Sequence, residues 1–173
     1  MGEKKEQPEL GQLYRNVIMD MPRLLTVKTD EYCFGAEAFR SWADEIGNGR
    51  FEGMKPEDFD DWAMYKIYVC NVATNGSCRV FLERALEKNP DMAFIAEIIK
   101  QYKKLAVLWN GSDGQMRYQG ECLESLGGGF NVTLEALGHI QRRKAIADKI
   151  RECAGCMSRV TDILNGHLSH ENN

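Results

Sequence analysis

No stretch of this sequence alternates convincingly between apolar and polar residues, so nothing in its pattern calls for a β-sheet. No apolar run approaches the roughly 18 residues of a membrane-crossing helix. Self-similarity with a period of about 20–50 residues, the mark of a solenoid, is also missing. The N-terminus, Met1-Gly2-Glu3-Lys4-Lys5-Glu6-Gln7-Pro8, is polar and lacks the apolar core of a secretion signal, so a cytoplasmic setting is expected. Glu6 stands where myristoylation needs Ser or Thr. Basic excess is lacking too: the net charge of −4 speaks against a nucleic-acid binder. Only one Cys-x-x-Cys pair exists, Cys153 and Cys156, and the histidines are just His139, His167 and His170.

What the sequence does have is helical periodicity. Ile146, Ile150, Cys153, Met157, Val160 and Leu164 recur at steps of 4, 3, 4, 3 and 4 residues. That spacing writes one apolar stripe down a long helix. The helix is expected over 132–164, bent near Gly138 and capped by Asn165-Gly166. Ile95, Ile98, Tyr102, Leu105 and Trp109 form a second seam with steps of 3, 4, 3 and 4, expected to pack antiparallel to the first. A helix over 31–46, with Thr29 or Asp30 as N-cap, presents Phe39, Trp42, Ala43 and Ile46.

Pro56 suits a helix first turn, followed by Phe59, Trp62, Tyr65, Val69 and Val72 on one face. This helix is expected to run on past Asn75-Gly76-Ser77 to Lys88, with Gly76 as a weak point. Asn89-Pro90-Asp91 is a stop and restart, 115–126 a shorter helix, and Gly127-Gly128-Gly129 a joint. Pro22 is expected to end a short helix that begins near residue 10 and to leave an irregular segment after it. The fold class is therefore all-α: an antiparallel bundle of about five to six helices with a long C-terminal helix. A frayed tail over 1–9 and a polar tail over 166–173 flank one domain, 10–165.

Several residue groups could carry chemistry. Cys153 and Cys156 have the spacing of half a zinc site, but structural zinc needs four donors and no second pair exists. The pair also lies inside a helix, away from the N-terminal position that activates redox cysteines, so core packing is expected. Cys33 followed by His139 has the chain order of some thiol hydrolases, which need the two within hydrogen-bond reach. Gly127-Gly128-Gly129 lacks the strand before and the Lys-Ser or Lys-Thr after that a phosphate loop uses.

Trp42, Trp62, Tyr65, Tyr102 and Trp109 could line an aromatic pocket for a small molecule. Glu37, Asp44 and Glu45, or Glu57, Asp60 and Asp61, resemble paired carboxylates but have no histidine partners. Residues 37–61 are acid-rich and 142–151 are base-rich, which pairing within the molecule or a docked partner would explain. All six cysteines are expected to be reduced thiols. No cofactor is implied.

Tyr32-Cys33-Phe34-Gly35-Ala36-Glu37-Ala38-Phe39-Arg40-Ser41-Trp42-Ala43-Asp44-Glu45-Ile46 resembles the helix that opens the helical C-terminal domain of butirosin-biosynthesis-H-like proteins. There a Gly…Ala-Leu…Trp-Ala pattern leads into an acidic end. The likeness continues in order through Trp62, Cys78-Arg79-Val80-Phe81-Leu82-Glu83-Arg84-Ala85, Tyr102 and the long final helix, spanning about 32–164. In that family the helical domain accompanies a papain-like thiol domain, and some members transfer acyl groups from carrier proteins. The likeness covers the helical module alone, so no catalytic residue is carried over, and Cys33 does not match the family nucleophile. The resemblance implies a non-catalytic accessory domain that docks a papain-like thiol domain protein or a carrier protein, or shapes a pocket. A small-molecule or metal-binding sensor, and a thiol enzyme using Cys33 and His139, are the alternatives; a homodimer is compatible with each.

Overall fold

The computed structural model describes residues 9–60, 77–112, 120–130 and 132–168. The molecule is an all-α helical bundle with a long C-terminal helix. Among the described residues five long helices carry it: α1 (Leu10–Leu25), α2 (Gly35–Gly47), α3 (Ser77–Lys88), α4 (Ile95–Asn110) and α7 (Ile140–Leu168), with the short α5 (Leu123–Leu126) and α6 (Leu134–Gly138) between the last two. Residues 56–60 are also helical. The expected passage of one helix through Asn75-Gly76 lies outside the described residues.

The 29 residues of α7 form the spine. Its predicted stripe, Ile146, Ile150, Cys153, Met157, Val160 and Leu164, is buried throughout. Three side-chain links to α2 and the turn after it fix the direction: Arg40 to Ser158, Asp44 to Arg151 and Glu52 to Arg143. The number rises along one chain as it falls along the other, so α2 and α7 are antiparallel. The same holds for α4. Its C-terminal Leu105 and Trp109 share a core with Ile146–Met157, while Ile95, Ile98 and Ile99 share one with Val160, Leu164 and Leu168. Phe94 stacks on His167 at the far end, with ring centroids 4.7 Å apart.

Two cores result. The first joins α2, Phe51, Phe59, the end of α4, α5, α6 and the first half of α7. The second joins Ile18 of α1, Leu82 and Ala85 of α3, Met92, the start of α4 and the last turns of α7. Tyr102 and Leu25 pack against both.

Local chemistry moved several boundaries. Pro22 does not end α1, which continues to Leu25. Losing one ladder hydrogen bond is outweighed by packing Met21 and Leu25 against the second core. Thr29 caps a turn rather than a helix: its hydroxyl accepts the N–H groups of Glu31 and Tyr32, and Lys28 and Cys33 form an antiparallel bridge. The next helix therefore starts at Gly35, not residue 31. Gly35 has φ +58, and a Cβ there would collide with the Leu25 backbone oxygen.

Residues 120–122, expected to be helical, are not; Cys122 instead caps α5 through a reciprocal pair of bonds with Ser125. The long helix breaks rather than bends, because His139 is extended (φ −85, ψ 112). It also runs through Asn165 and Gly166 to Leu168, because burying Leu168 exceeds the roughly 1 kcal/mol cost of a helical glycine.

Candidate functional site

Of the expected aromatic pocket, the structure brings Trp42 and Trp109 together, with centroids 5.6 Å apart and planes tilted by 32°. Trp109 donates its indole N–H to Glu124 Oε1 at 3.1 Å, and the same oxygen accepts the backbone N–H of Phe130 at 2.6 Å. Trp42 Nε1 is buried and has no acceptor among the described residues. Tyr102 does not join the pair. Its hydroxyl bonds with the Cys78 thiol on α3, and burial first, then Cys78, pushes its ionisation well above the usual phenol range. Trp62 and Tyr65 lie outside the described residues.

The Gly127-Gly128-Gly129 joint is stapled from inside. Gly127 has φ +78 and caps α5. A Cβ on Gly128 would collide with Ile146, and one on Gly129 would meet the Glu124 carboxylate. That carboxylate occupies a backbone N–H of the glycine turn where a phosphate would have to bind.

Cys33 and His139 are not brought together. Cys33 is half-buried beside Ser41, at 3.7 Å. His139 is exposed at the start of α7, where its backbone oxygen accepts the Arg143 N–H and Nδ1 lies 3.5 Å from the Arg142 N–H. Cys33 precedes α2, whereas His139 neighbours the Arg143–Glu52 link beyond its other end. The 13 residues of α2 set them roughly 20 Å apart along the axis.

Cys153 is fully buried and Cys156 is 3% exposed. Burial is the leading cause holding both thiols protonated, opposing the thiolate that metal or nucleophilic work requires. Among the described residues, no three His, Cys, Asp or Glu side chains gather as a metal site would need. Cys33, Cys78, Cys122, Cys153 and Cys156 are all free thiols.

The acidic and basic segments largely pair with each other or locally. Asp44 meets Arg151, Glu52 meets Arg143, Glu45 meets Arg50, and Glu37 meets Lys28 and Arg40. Asp61 lies outside the described residues. Arg143 is the one that sequence reasoning missed. It is 4% exposed, and its guanidinium donates to the Leu137 carbonyl at 2.9 Å and to Glu52 at 2.6 Å.

Also missed was the outer side of α1. Tyr14, Ile18, Met21 and Leu25 face the second core, whereas Leu10, Leu13, Val17 and Leu24 stay 44–54% exposed. The signal was legible as two interleaved stripes in 16 residues. Among the described residues, no helix is long and apolar enough to cross a membrane. No protein-family model matches this sequence, no curated protein matches it, and no solved structure matches its fold.

Proposed function

We propose that this chain is a non-catalytic interaction domain, a cytoplasmic accessory bundle that docks a protein through α1. One observation carries the reading: Leu10, Leu13, Val17 and Leu24 form an exposed apolar stripe, interrupted by Asp20, on a helix whose neighbouring face is already packed. Each such side chain gains about 1.5–3 kcal/mol on full burial, and contiguous apolar surface of this kind marks docking sites. The likeness of residues 32–46 to the helical module of butirosin-biosynthesis-H-like proteins adds a papain-like thiol domain protein or a carrier protein as partner classes. The free thiols suit a reducing compartment.

A photo-crosslinking residue placed at Val17 should capture a discrete protein in the cell, while one at exposed Lys100 on α4 should not. Equal or absent capture at both positions overturns the proposal.

A small-molecule role is the second reading, favoured by the buried Trp42 Nε1, which has no acceptor among the described residues. A carbonyl or carboxylate acceptor would satisfy that donor. Trp42→Phe keeps the ring and deletes the donor. Small carboxylic acids held there should raise the melting temperature of the native chain and not of the variant; no shift in either removes this reading.

A further inference from the structure

The α1 stripe specifies its occupant. Leu10, Leu13, Val17 and Leu24 follow steps of 3, 4 and 7 residues, with Asp20 at the omitted position. This is the a/d spacing of a two-helix seam. The flanks are equally regular. Glu9, Asn16 and Arg23 line one side at steps of seven, and Tyr14 and Met21 line the other.

We infer that the stripe pairs with α1 of a second copy of this chain, antiparallel about a twofold axis near Asn16 and Val17. This rests on the interaction reading above and names its partner. In that arrangement Glu9 faces Arg23 of the other copy, and by symmetry the contact occurs twice. Asn16 faces its own counterpart, while Tyr14 and Met21 stay packed on the second core. Leu10 meets Leu24 at the ends, and Val17 meets Val17 at the centre.

A parallel pair would instead set Asp20 against Asp20 in the seam, which like-charge repulsion disfavours. In the antiparallel pair Asp20 instead faces Leu13 of the other copy, its charge met by the Arg23 guanidinium through two bonds of 2.7 Å. A lipid surface fits less well, because the flank facing solvent mixes Glu9 and Asp20 with Arg23 rather than carrying a basic row. At 16 residues the helix is roughly 24 Å long. It buries less than the roughly 800 Å² per partner of a standard interface, so the dimer is weak and concentration-dependent.

Sedimentation of the full chain should show monomer passing to dimer as concentration rises to about 0.5 mM. Leu13→Glu with Val17→Glu, both outside the cores, should weaken association more than about tenfold with unchanged helicity and melting temperature. Asn16→Cys tests the axis independently of any loss of packing. On mild oxidation it should yield a covalent dimer, whereas Lys100→Cys should not.

A chain monomeric throughout, a dimer indifferent to the double substitution, or equal cross-linking through Lys100→Cys would overturn the pairing. If the chain is monomeric but the Val17 probe captures a different protein, self-pairing fails and the interaction reading stands. If it is monomeric and the probe captures nothing, both fail.

Discussion

The two cores are built on one helix but by different means. The core around Ile150 is threaded with polar ties: the Trp109–Glu124 bond, the guanidinium of Arg143 on the Leu137 carbonyl, and Glu52 across from it. It must hold irregular chain, including the turns at 48–53 and 127–130, whose backbone groups need partners that a helix would supply by itself. The core around Leu164 joins regular helices and is almost wholly aliphatic. Its polar tie is Asn89, whose amide donates to the carbonyls of Gly11 and Ala85 and pegs α1 to the end of α3. The buried directed bonds fall where loops meet helices, whereas the helix-to-helix links of α2 and α7, Arg40 to Ser158 and Asp44 to Arg151, lie at the surface.

Four experiments would break or sharpen that contrast. The largest effect should come from Leu164→Ala, at about 2–5 kcal/mol. Since α7 carries both cores, this change in the aliphatic core should also lower the denaturation midpoint read by the fluorescence of Trp42 and Trp109 in the other. Separate fluorescence and circular dichroism transitions would mean that the cores unfold independently.

Arg143→Met should cost about 2 kcal/mol through lost charge-assisted bonds. Glu52→Gln, whose side chain is 61% exposed, should cost less than about 1 kcal/mol. Equal costs would place the value in the ion pair rather than in the carbonyl contact. Gly128→Ala, which drives a methyl into Ile146, should destabilise by about 1–3 kcal/mol; a neutral result would mean that the polar core yields more readily than its ties suggest.

Cys153→Ala should cost roughly 1 kcal/mol and change the alkaline behaviour. Burial raises the folded-state pKa of Cys153 and Cys156, so their contribution is complete below the unfolded thiol pKa of about 8.5 and is lost as pH rises beyond it. For Cys153, the more deeply buried of the two, the loss approaches about 1.4 kcal/mol per pH unit there. The alanine variant should show a shallower decline, measured by urea unfolding between neutral and alkaline pH.

Legibility followed the same division. The stripe on α7 and the seam on α4 could be read because regular helix packing leaves a period in the sequence. The fates of Pro22, Thr29 and His139 could not. Each turned on a contact made at a distance or on a turn bond that competes locally with a helix. Arg143 reads as one more surface cation until its partner, 91 residues away, is in place. Trp42 and Trp109 were marked as aromatic neighbours, but no spacing reveals that Tyr102 turns instead to Cys78. The outer stripe of α1 was visible in the residues and was hidden by the expectation that Pro22 would cut the helix short.

The position of α7 also has a consequence for the order in which the protein can be made. Residues 140–168 contribute to both cores, while α1, α3 and α4 also pack directly on one another. As the ribosome works from the N-terminus, α1, α3 and α4 can close on one another, but the faces that α7 covers stay open until it emerges. The first core is complete only once Met157 has left the exit tunnel and the second only once Leu168 has, so both close late in synthesis. Until then the faces meant for α7 stay open, and it is during this interval that a holding chaperone would find the most to grip.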